Sequence, residues 1–298
     1  MKRLLIGANG YIGSSLIADL RVGRQDVELT DFKTVLNLFR KYQPTHIISA
    51  ASKHGSFRDM QQDHHSYLRE NLLIDSNILE AAAKCGIENV SILSSISGLP
   101  ESNQPSDEAK ISTGPVAESN FGYNFSKYVS TQLVKSYQLD GFTSYKSFLL
   151  GNVYGYNHSF ERNTNVVATL IKLMHKAKLT NTNLELYGNG LDARCLIHLD
   201  DVSDIIEKLI TLNNVSIEPV IISTSKAYTI MEITDVIAAK MKFRHSVVFK
   251  EKLEKEFTIK KIDNSKLQSI VGPYNFIDLD AGIELTVNQY LQNLNQEK

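Results

Sequence analysis

The chain has two cysteines, no block of like charge and no apolar run of membrane-spanning length in its 298 residues. Each absence removes a class of protein. Cys85 and Cys195 show no metal-ligand spacing, and a single disulfide would be a thin framework for so long a chain. Lysine and arginine number 32 against 33 aspartates and glutamates, a net charge of −1, so no basic stretch is available to track a phosphate backbone or an anionic bilayer. Nucleic acid and membranes are therefore not expected partners. "MKRLLIGANG" opens with two basic residues, but its apolar run stops at Gly7, far short of a secretory signal. A cytoplasmic location is the expectation. Nor is a metal site expected: "DHH" at 63–65 points adjacent side chains in different directions and reads as a solvated helix start.

What is present is a beat. Apolar runs of four to six residues, "RLLI", "HIIS", "VSIL" and "YKSFLL", alternate with longer stretches of helical period. That rhythm predicts an α/β fold, a doubly wound parallel Rossmann-type sheet with a smaller C-terminal α/β lobe. Leu68, Leu72, Leu79 and Ala83 recur at helical multiples and predict an amphipathic helix over 67–84. A second is expected over 121–139. Beyond Tyr154 come a helix near 166–178, strands at "LELYG" and "CLIHL", and a helix at "LDDVSDIIEKLITL" capped by Asp200 or Asp201. "TIMEITDVIAAKM", a strand-like "HSVVF" and a last helix over 280–294 complete the tail. Residues 1–160, rejoined by 192–224, are expected to form the Rossmann domain; 161–191 and 225–298 form the lobe. Between the first helix and "DVELTDF" stands little more than "RVGRQ", so the second strand must be very short or absent.

"KRLLIGANGYIGSSLIADL" reads as strand, glycine turn and helix. Its Gly7, Gly10 and Gly13 suit a turn whose backbone meets a pyrophosphate at a helix start. Cofactor contacts are expected from these glycines and from Tyr11 and Ile12 between them. About twenty residues on, where NAD sites carry a carboxylate, stand Arg21 and Arg24, which favours NADP (as NADPH) over NAD. Glu28 and Leu29, in "ELTD", lie where a loop could cradle adenine. Ala50 and Ala51 end a strand where a cofactor could pass. Turn and core are the plainer readings of these two pairs.

"FGYNFSKY" places Tyr123 and Lys127 four apart, on one face of a helix start. A free phenol titrates near 10 and is a poor acid at neutral pH, so an adjacent ammonium is expected to tune it. Ser95, at the end of "VSILSS", supplies a further hydrogen bond to polarise a carbonyl under attack. Ser94 is expected to pack or cap.

With these motifs in place, the sequence resembles the extended short-chain dehydrogenases/reductases that act on nucleotide sugars. It is most similar to the NADPH-dependent 3,5-epimerase/4-reductases that complete GDP-L-fucose. The likeness covers most of residues 1–210 and rests on "GANGYIGS", "YLRENLLIDSNILEAA", "LSSISGLP", "YNFSK", "NVYG" and "LYGNGLDARCLIHLDDV". The short second strand is similar instead to dTDP-4-dehydrorhamnose reductases. The resemblance implies that Ser95, Tyr123 and Lys127 form a reducing triad, and that Asn71 supports the backbone beside the cofactor. It places Asn152, in "NVYG", along the nucleotide-sugar substrate, with Arg194 and Lys261 on its diphosphate. It further implies a homodimer built on helices 67–84 and 121–139.

The chain also departs from that pattern. Where the bifunctional enzymes carry an acid cysteine and a basic histidine for epimerisation, alignment places Ser97 and Asn165, here grouped with the substrate contacts. A lone serine is scarcely ionised and an amide does not titrate, so acid–base epimerisation loses both groups while hydride delivery needs neither. The expectation is a 4-ketoreductase of a 4-keto-6-deoxy nucleotide sugar without epimerase activity. His54, His158 and Cys195 are possible substitutes, which keeps the bifunctional enzyme as the alternative. A 4-epimerase with tightly held cofactor and a non-catalytic NADP-binding regulator are further rivals. A 4,6-dehydratase lacks its acidic pair after Ser95.

Overall fold

In the computed structural model, which describes residues 2–102, 104–157, 160, 165–212, 219–250 and 261–296, the apolar runs become neighbouring strands. These are β1 (Arg3–Ile6), β2 (Leu20–Val22), β3 (His46–Ser49), β4 (Asn89–Ser95), β5 (Tyr145–Leu150) and β9 (Val220–Ile222). They form one six-stranded sheet in the order β2-β1-β3-β4-β5-β9, with every adjacent pair parallel. Leu4, Leu5, Ile6, Ile47, Ile48 and Phe148 are fully buried, as residues of a parallel sheet covered on both faces must be. From β1 the chain moves outward to β2 and then crosses back to β3. The β1/β3 boundary is therefore the switch point at which α/β sheets open a crevice.

Helix α1 (Phe32–Tyr42), capped by Asp31, and α3 (His64–Lys84), capped by Asp63, pack on one face. Short α2 (Phe57–Gln62) precedes α3, and α4 (Phe121–Leu139) packs along it. The two amphipathic helices stand where the periodicity places them.

The first helix does not. After the glycine turn the chain makes only a 3-10 turn, Gly13–Ser15, and is extended by Leu16. The register Leu4↔Leu20 requires the chain to return from the end of β1 to a strand parallel with it using residues 7–19 alone. The glycine turn consumes half of that length, and what remains cannot make both a helix and an adjoining strand. The residues expected to end the helix instead begin β2, a three-residue edge strand.

A second correction concerns α6 (Leu199–Thr211). Its cap is His198, whose Nδ1 accepts from the Asp200 N–H (3.3 Å). Asp201 is turned inward, accepting from Tyr274 Oη (3.2 Å) and the Ile277 N–H (3.0 Å).

The remaining elements are β6 (Asn152–Tyr154), α5 (Val166–Thr180), β7 (Leu184–Tyr187), β8 (Ala193–His198), β10 (Ala227–Thr229), α7 (Ile230–Lys240), β11 (Val247–Lys250), α8 (Ser265–Val271) and α9 (Leu279–Gln296). β10-β8-β6 form a second sheet and β11-β7 a third. Helices α5, α7 and α9 enclose an apolar cluster of their own around Ile171, Met174, Ile237 and Ile283. No described helix is long and apolar enough to cross a membrane.

One buried polar pair makes the sheet sensitive to acid. His46, 3% exposed at the start of β3, shares a hydrogen bond with Ser91 on β4 (3.0 Å), and burial beside Arg3 and Lys146 lowers its pKa from 6.5 to about 4. Below pH 6.5 the unfolded chain takes up a proton that the folded one refuses, so stability falls as pH drops toward 4. From pH 7 to pH 5 this group removes on the order of 2 kcal/mol. His46→Asn is expected to flatten that limb, read as a smaller loss of urea-unfolding free energy between the two pH values.

Candidate active site

Strand β4 ends at Ser95, whose Oγ accepts from the Ser97 N–H (3.1 Å) and so starts a tight 3-10 turn. Ser94 ties the strand to α4 by donating to the Lys127 carbonyl (3.3 Å), the packing role expected of it. The turn lies so close to α4 that a Cβ on Gly98 would fall 2.7 Å from the Tyr128 nitrogen. At the helix start, a Cβ on Gly122 would meet the His64 carbonyl at 1.9 Å. These two glycine contacts hold the first turns of α4 against β4 and α3. Ser95, Tyr123 and Lys127 converge at the carboxyl edge of the sheet as a result.

The Lys127 ammonium lies 5.5 Å from the Tyr123 ring centroid, and the His54 ring stands edge-on to that ring at 5.3 Å. Burial pushes the phenol up to about 12, partly offset by Ser95. The net displacement is upward rather than the lowering expected from a neighbouring ammonium, because desolvation outweighs it. The ammonium sits over the ring while desolvation dominates, so the phenol keeps its proton at neutral pH. Burial lowers Lys127 in turn, and Asp75 opposes that fall. Asp75, 3% exposed on α3, is itself raised by burial and drawn back by Lys127 and Ser130. Sequence reading passed over Asp75. Its signal was there: Asn71 and Asp75 lie four apart, a polar pair on a helix whose buried positions also hold Ile74, Ile78 and Leu79.

Asn71 holds the chain beyond β3. Its Oδ1 accepts from the Lys53 N–H (2.7 Å) and Ser52 Oγ (3.1 Å), and its Nδ2 donates to the Lys53 carbonyl (3.2 Å). This fixes the segment that carries His54.

At the switch point Gly7, with φ +80°, is pressed against Ala50 and Ala51: a Cβ there would lie 2.7 Å from the Ala51 nitrogen. A Cβ on Gly13 would lie 2.2 Å from the Gly7 carbonyl, and the Gly10 N–H donates to that same oxygen (3.0 Å). Tyr11 donates through its hydroxyl to the Gly155 carbonyl (2.8 Å), and Ile12 packs half-buried beside it. Arg24 is exposed beyond β2. Glu28 is exposed and accepts from Thr30, whereas half-buried Leu29 offers its carbonyl to Asn77 (2.8 Å). Arg21 is committed elsewhere: its guanidinium donates to the carbonyls of Ala8, Gly13 and Leu16. The crowded glycine loop at the crevice, and a buried ammonium with no hydrogen bond or ion pair among the described residues, fit a dinucleotide whose phosphates and ribose hydroxyls would meet them.

Beyond Ser95, Ser97 Oγ is buried without a hydrogen-bond partner among the described residues. With Ile96, Leu99, Glu101 and Ser106, exposed Lys261 borders a small, partly open pocket just past Ser97. Asn152 donates to the Cys195 carbonyl (3.3 Å). Asn165 caps α5, accepting from the Ala168 N–H (2.8 Å), and donates to the Val153 carbonyl (3.0 Å). Arg194, half-buried on β8, donates to the Ala193 carbonyl (2.8 Å). Cys195 is buried and bonded to the Ser225 carbonyl (3.7 Å), its thiol pushed up by burial. His158 lies outside the described residues.

The coulombic influence of Asp75 on Lys127 has a testable consequence. Asp75→Asn removes the group that opposes the lowering of Lys127, so the alkaline limb of a ketone-reduction pH profile is expected to move to lower pH, with circular dichroism unchanged. An unmoved limb would show that Asp75 does not act on Lys127.

Comparison with known proteins agrees with this geometry. The chain is 26% identical over 321 residues to a probable GDP-L-fucose synthase of Drosophila melanogaster, covering 100% of both. A GDP-L-fucose synthetase from Naegleria fowleri has the same fold, with a TM-score of 0.87 at 22% identity over 98% of this chain and 94% of that one. So does a GDP-mannoheptose C4 reductase from Campylobacter jejuni with NADP bound, with a TM-score of 0.84 at 20% identity over 97% and 98%. The model of the NAD dependent epimerase/dehydratase family matches residues 3–222, from the first residue of β1 to the last of β9. The whole sheet and the edge that carries Ser95, Tyr123 and Lys127 lie inside that match, and the chain belongs to this family of NAD(P)-dependent enzymes.

Proposed function

We propose that the protein is an NADPH-dependent 4-ketoreductase of a nucleotide-linked 4-keto-6-deoxy sugar, without 3,5-epimerase activity. The observation that carries this reading is a division of labour. Ser95, Tyr123 and Lys127 face one another at the sheet edge, while the Asn165 amide is spent capping α5 and bonding Val153. An amide does not titrate, and Ser97 Oγ has no hydrogen-bond partner among the described residues. The Naegleria and Campylobacter relatives, one named a fucose synthetase and the other a C4 reductase, support the substrate class.

A bound nicotinamide supplies the hydride. The protein's own groups do the rest. The Gly7–Gly13 loop meets the pyrophosphate, Ala50 and Ala51 line its passage, and Arg24 is the cation for a 2′-phosphate. Asn71 holds the Lys53 backbone against which the sugar and cofactor are oriented. Ser95 directs the ketone oxygen toward Tyr123. That phenol, held near 12, remains protonated until an alkoxide of higher basicity forms. Lys127 then stabilises the phenolate through its charge. Residues 1–160 with 192–224 form the cofactor domain, and 161–191 with 225–298 the substrate lobe. Arg194 and Lys261 meet the diphosphate, and Asn152 and Ser97 the sugar. Helices α3 and α4 form the homodimer surface, on which Phe121, 42% exposed, stacks with Phe125 at 5.2 Å. The compartment is cytoplasmic.

One observation favours a second reading, the bifunctional enzyme. His54 stands against Tyr123 as a titratable imidazole beside the site, its pKa lowered by burial and by the charge of Lys127. A panel of nucleotide 4-keto-6-deoxy sugars with NADPH in heavy water separates the two. Reduction without deuterium at carbons 3 and 5 is expected; enzyme-dependent deuterium there would establish epimerisation. In the same assay Tyr123→Phe is expected to lose on the order of 10²-fold or more in turnover with NADPH affinity retained. Turnover untouched by that change would remove the proposed mechanism.

A further inference from the structure

Arg21, exposed in the middle of β2, sends its guanidinium to the glycine loop. Its register opposite Leu5 places it on the face of the sheet that α6 covers, the face on which Leu5 and Leu16 pack with Val202, Ile205 and Ile206. The helix predicted after the glycine turn would lie on this face. What the chain has instead is one 3-10 turn, beside which Arg3 reaches Glu207 of α6 (2.6 Å) and Arg21 reaches the glycine loop. The Arg21 guanidinium donates to the Leu16 carbonyl, to Gly13 O at 3.0 Å and to Ala8 O at 3.2 Å.

A planar fork of donors on three carbonyls of one loop sets the direction of the peptide planes. Within a trans peptide the C=O and the following N–H point opposite ways, so drawing the Ala8 carbonyl toward Arg21 turns the Asn9 N–H away from it. Besides its own backbone bonds, such as the Ser14 N–H to the Gly10 carbonyl (3.0 Å) and the Ser15 N–H to the Ile12 carbonyl (3.1 Å), the loop has further external ties. Asn157 donates to the Tyr11 carbonyl (2.6 Å) and Ser14 Oγ (3.0 Å), and Ser203 of α6 donates to Ser15 Oγ (2.8 Å). A full helix would have oriented these amides itself and placed about half a positive charge at its start.

Resting on the reading of this loop as a dinucleotide site, we propose that Arg21 replaces the missing helix. It fastens the loop's carbonyls on the α6 side so that its amides face the pyrophosphate, and it sets a full positive charge behind them. Arg21 is a positioning residue for the cofactor, not a reader of the 2′-phosphate. The two roles differ in what they distinguish. A 2′-phosphate reader favours NADPH alone, whereas a pyrophosphate support serves NADPH and NADH alike.

The test is calorimetric titration of NADPH and NADH into the wild-type protein, Arg21→Lys and Arg21→Met, with thermal unfolding of each. Arg21→Lys keeps the charge and most of the volume but loses the fork, and it carries the test if Arg21→Met fails to fold. The expected result is weaker binding of both cofactors, by at least about tenfold in Arg21→Met and less in Arg21→Lys, with the NADPH-to-NADH ratio unchanged. A loss confined to NADPH, or unaltered affinity in the folded variants, overturns the proposal while leaving the dinucleotide site standing. A wild-type protein that binds neither cofactor overturns both.

Discussion

The length of chain between β1 and β2 is the constraint from which the cofactor end of this molecule follows. A parallel neighbour must start at the same end of the sheet as its partner, so residues 7–19 have to return across the edge. Having spent much of that length on a close-packed glycine turn, they keep only a single 3-10 turn. The fold compensates with side chains from elsewhere. Arg21, Asn157, Tyr11 and Ser203 each hold a part of the loop that a helix would have held by its own backbone bonds. Preorganisation that other doubly wound proteins build locally is here assembled from β2, the segment after β6, and α6.

The cluster around Tyr123 rests on a different balance. Tyr123, Lys127 and Asp75 are held where water is scarce, and desolvation is the largest influence on each. It pushes the phenol and the carboxyl up and the ammonium down, toward neutral forms in all three cases. Lys127 and Asp75 partly restore each other's charge. What keeps these groups from relaxing apart is steric: Gly98 and Gly122 allow α4 to approach β4 and α3 so closely that no side chain could stand between them.

Much of this was legible in the order of residues. Buried strands announce themselves as short apolar runs, and amphipathic helices by their stripe, because burial on two faces or one leaves a mark in the pattern. The α/β class, α3, α4 and the Ser95–Tyr123–Lys127 set follow from such marks and from resemblance. The helix expected after Gly13 failed for a reason outside local propensity. "SSLIADL" suits a helix, but pairing of Leu20–Val22 with β1 claims its end. The cap of α6 was misplaced for a similar reason. His198 ends a strand and so stands at the junction, while Asp201 is drawn inward by Tyr274 and Ile277, some seventy residues on.

The sequence by itself determined most element types, the glycine turn and which titratable residues were available, since these depend on neighbours within a few positions. Tertiary structure alone decided what the charges do. Arg21 looked like a phosphate reader and became a fastening for the loop; Asp75 looked like one more helix residue and became the counter-charge of Lys127; Asn165 became a cap. Each outcome depends on which groups lie within a few ångströms across the fold. Hydrogen bonding and desolvation act over that distance in space, and linear order carries no record of it.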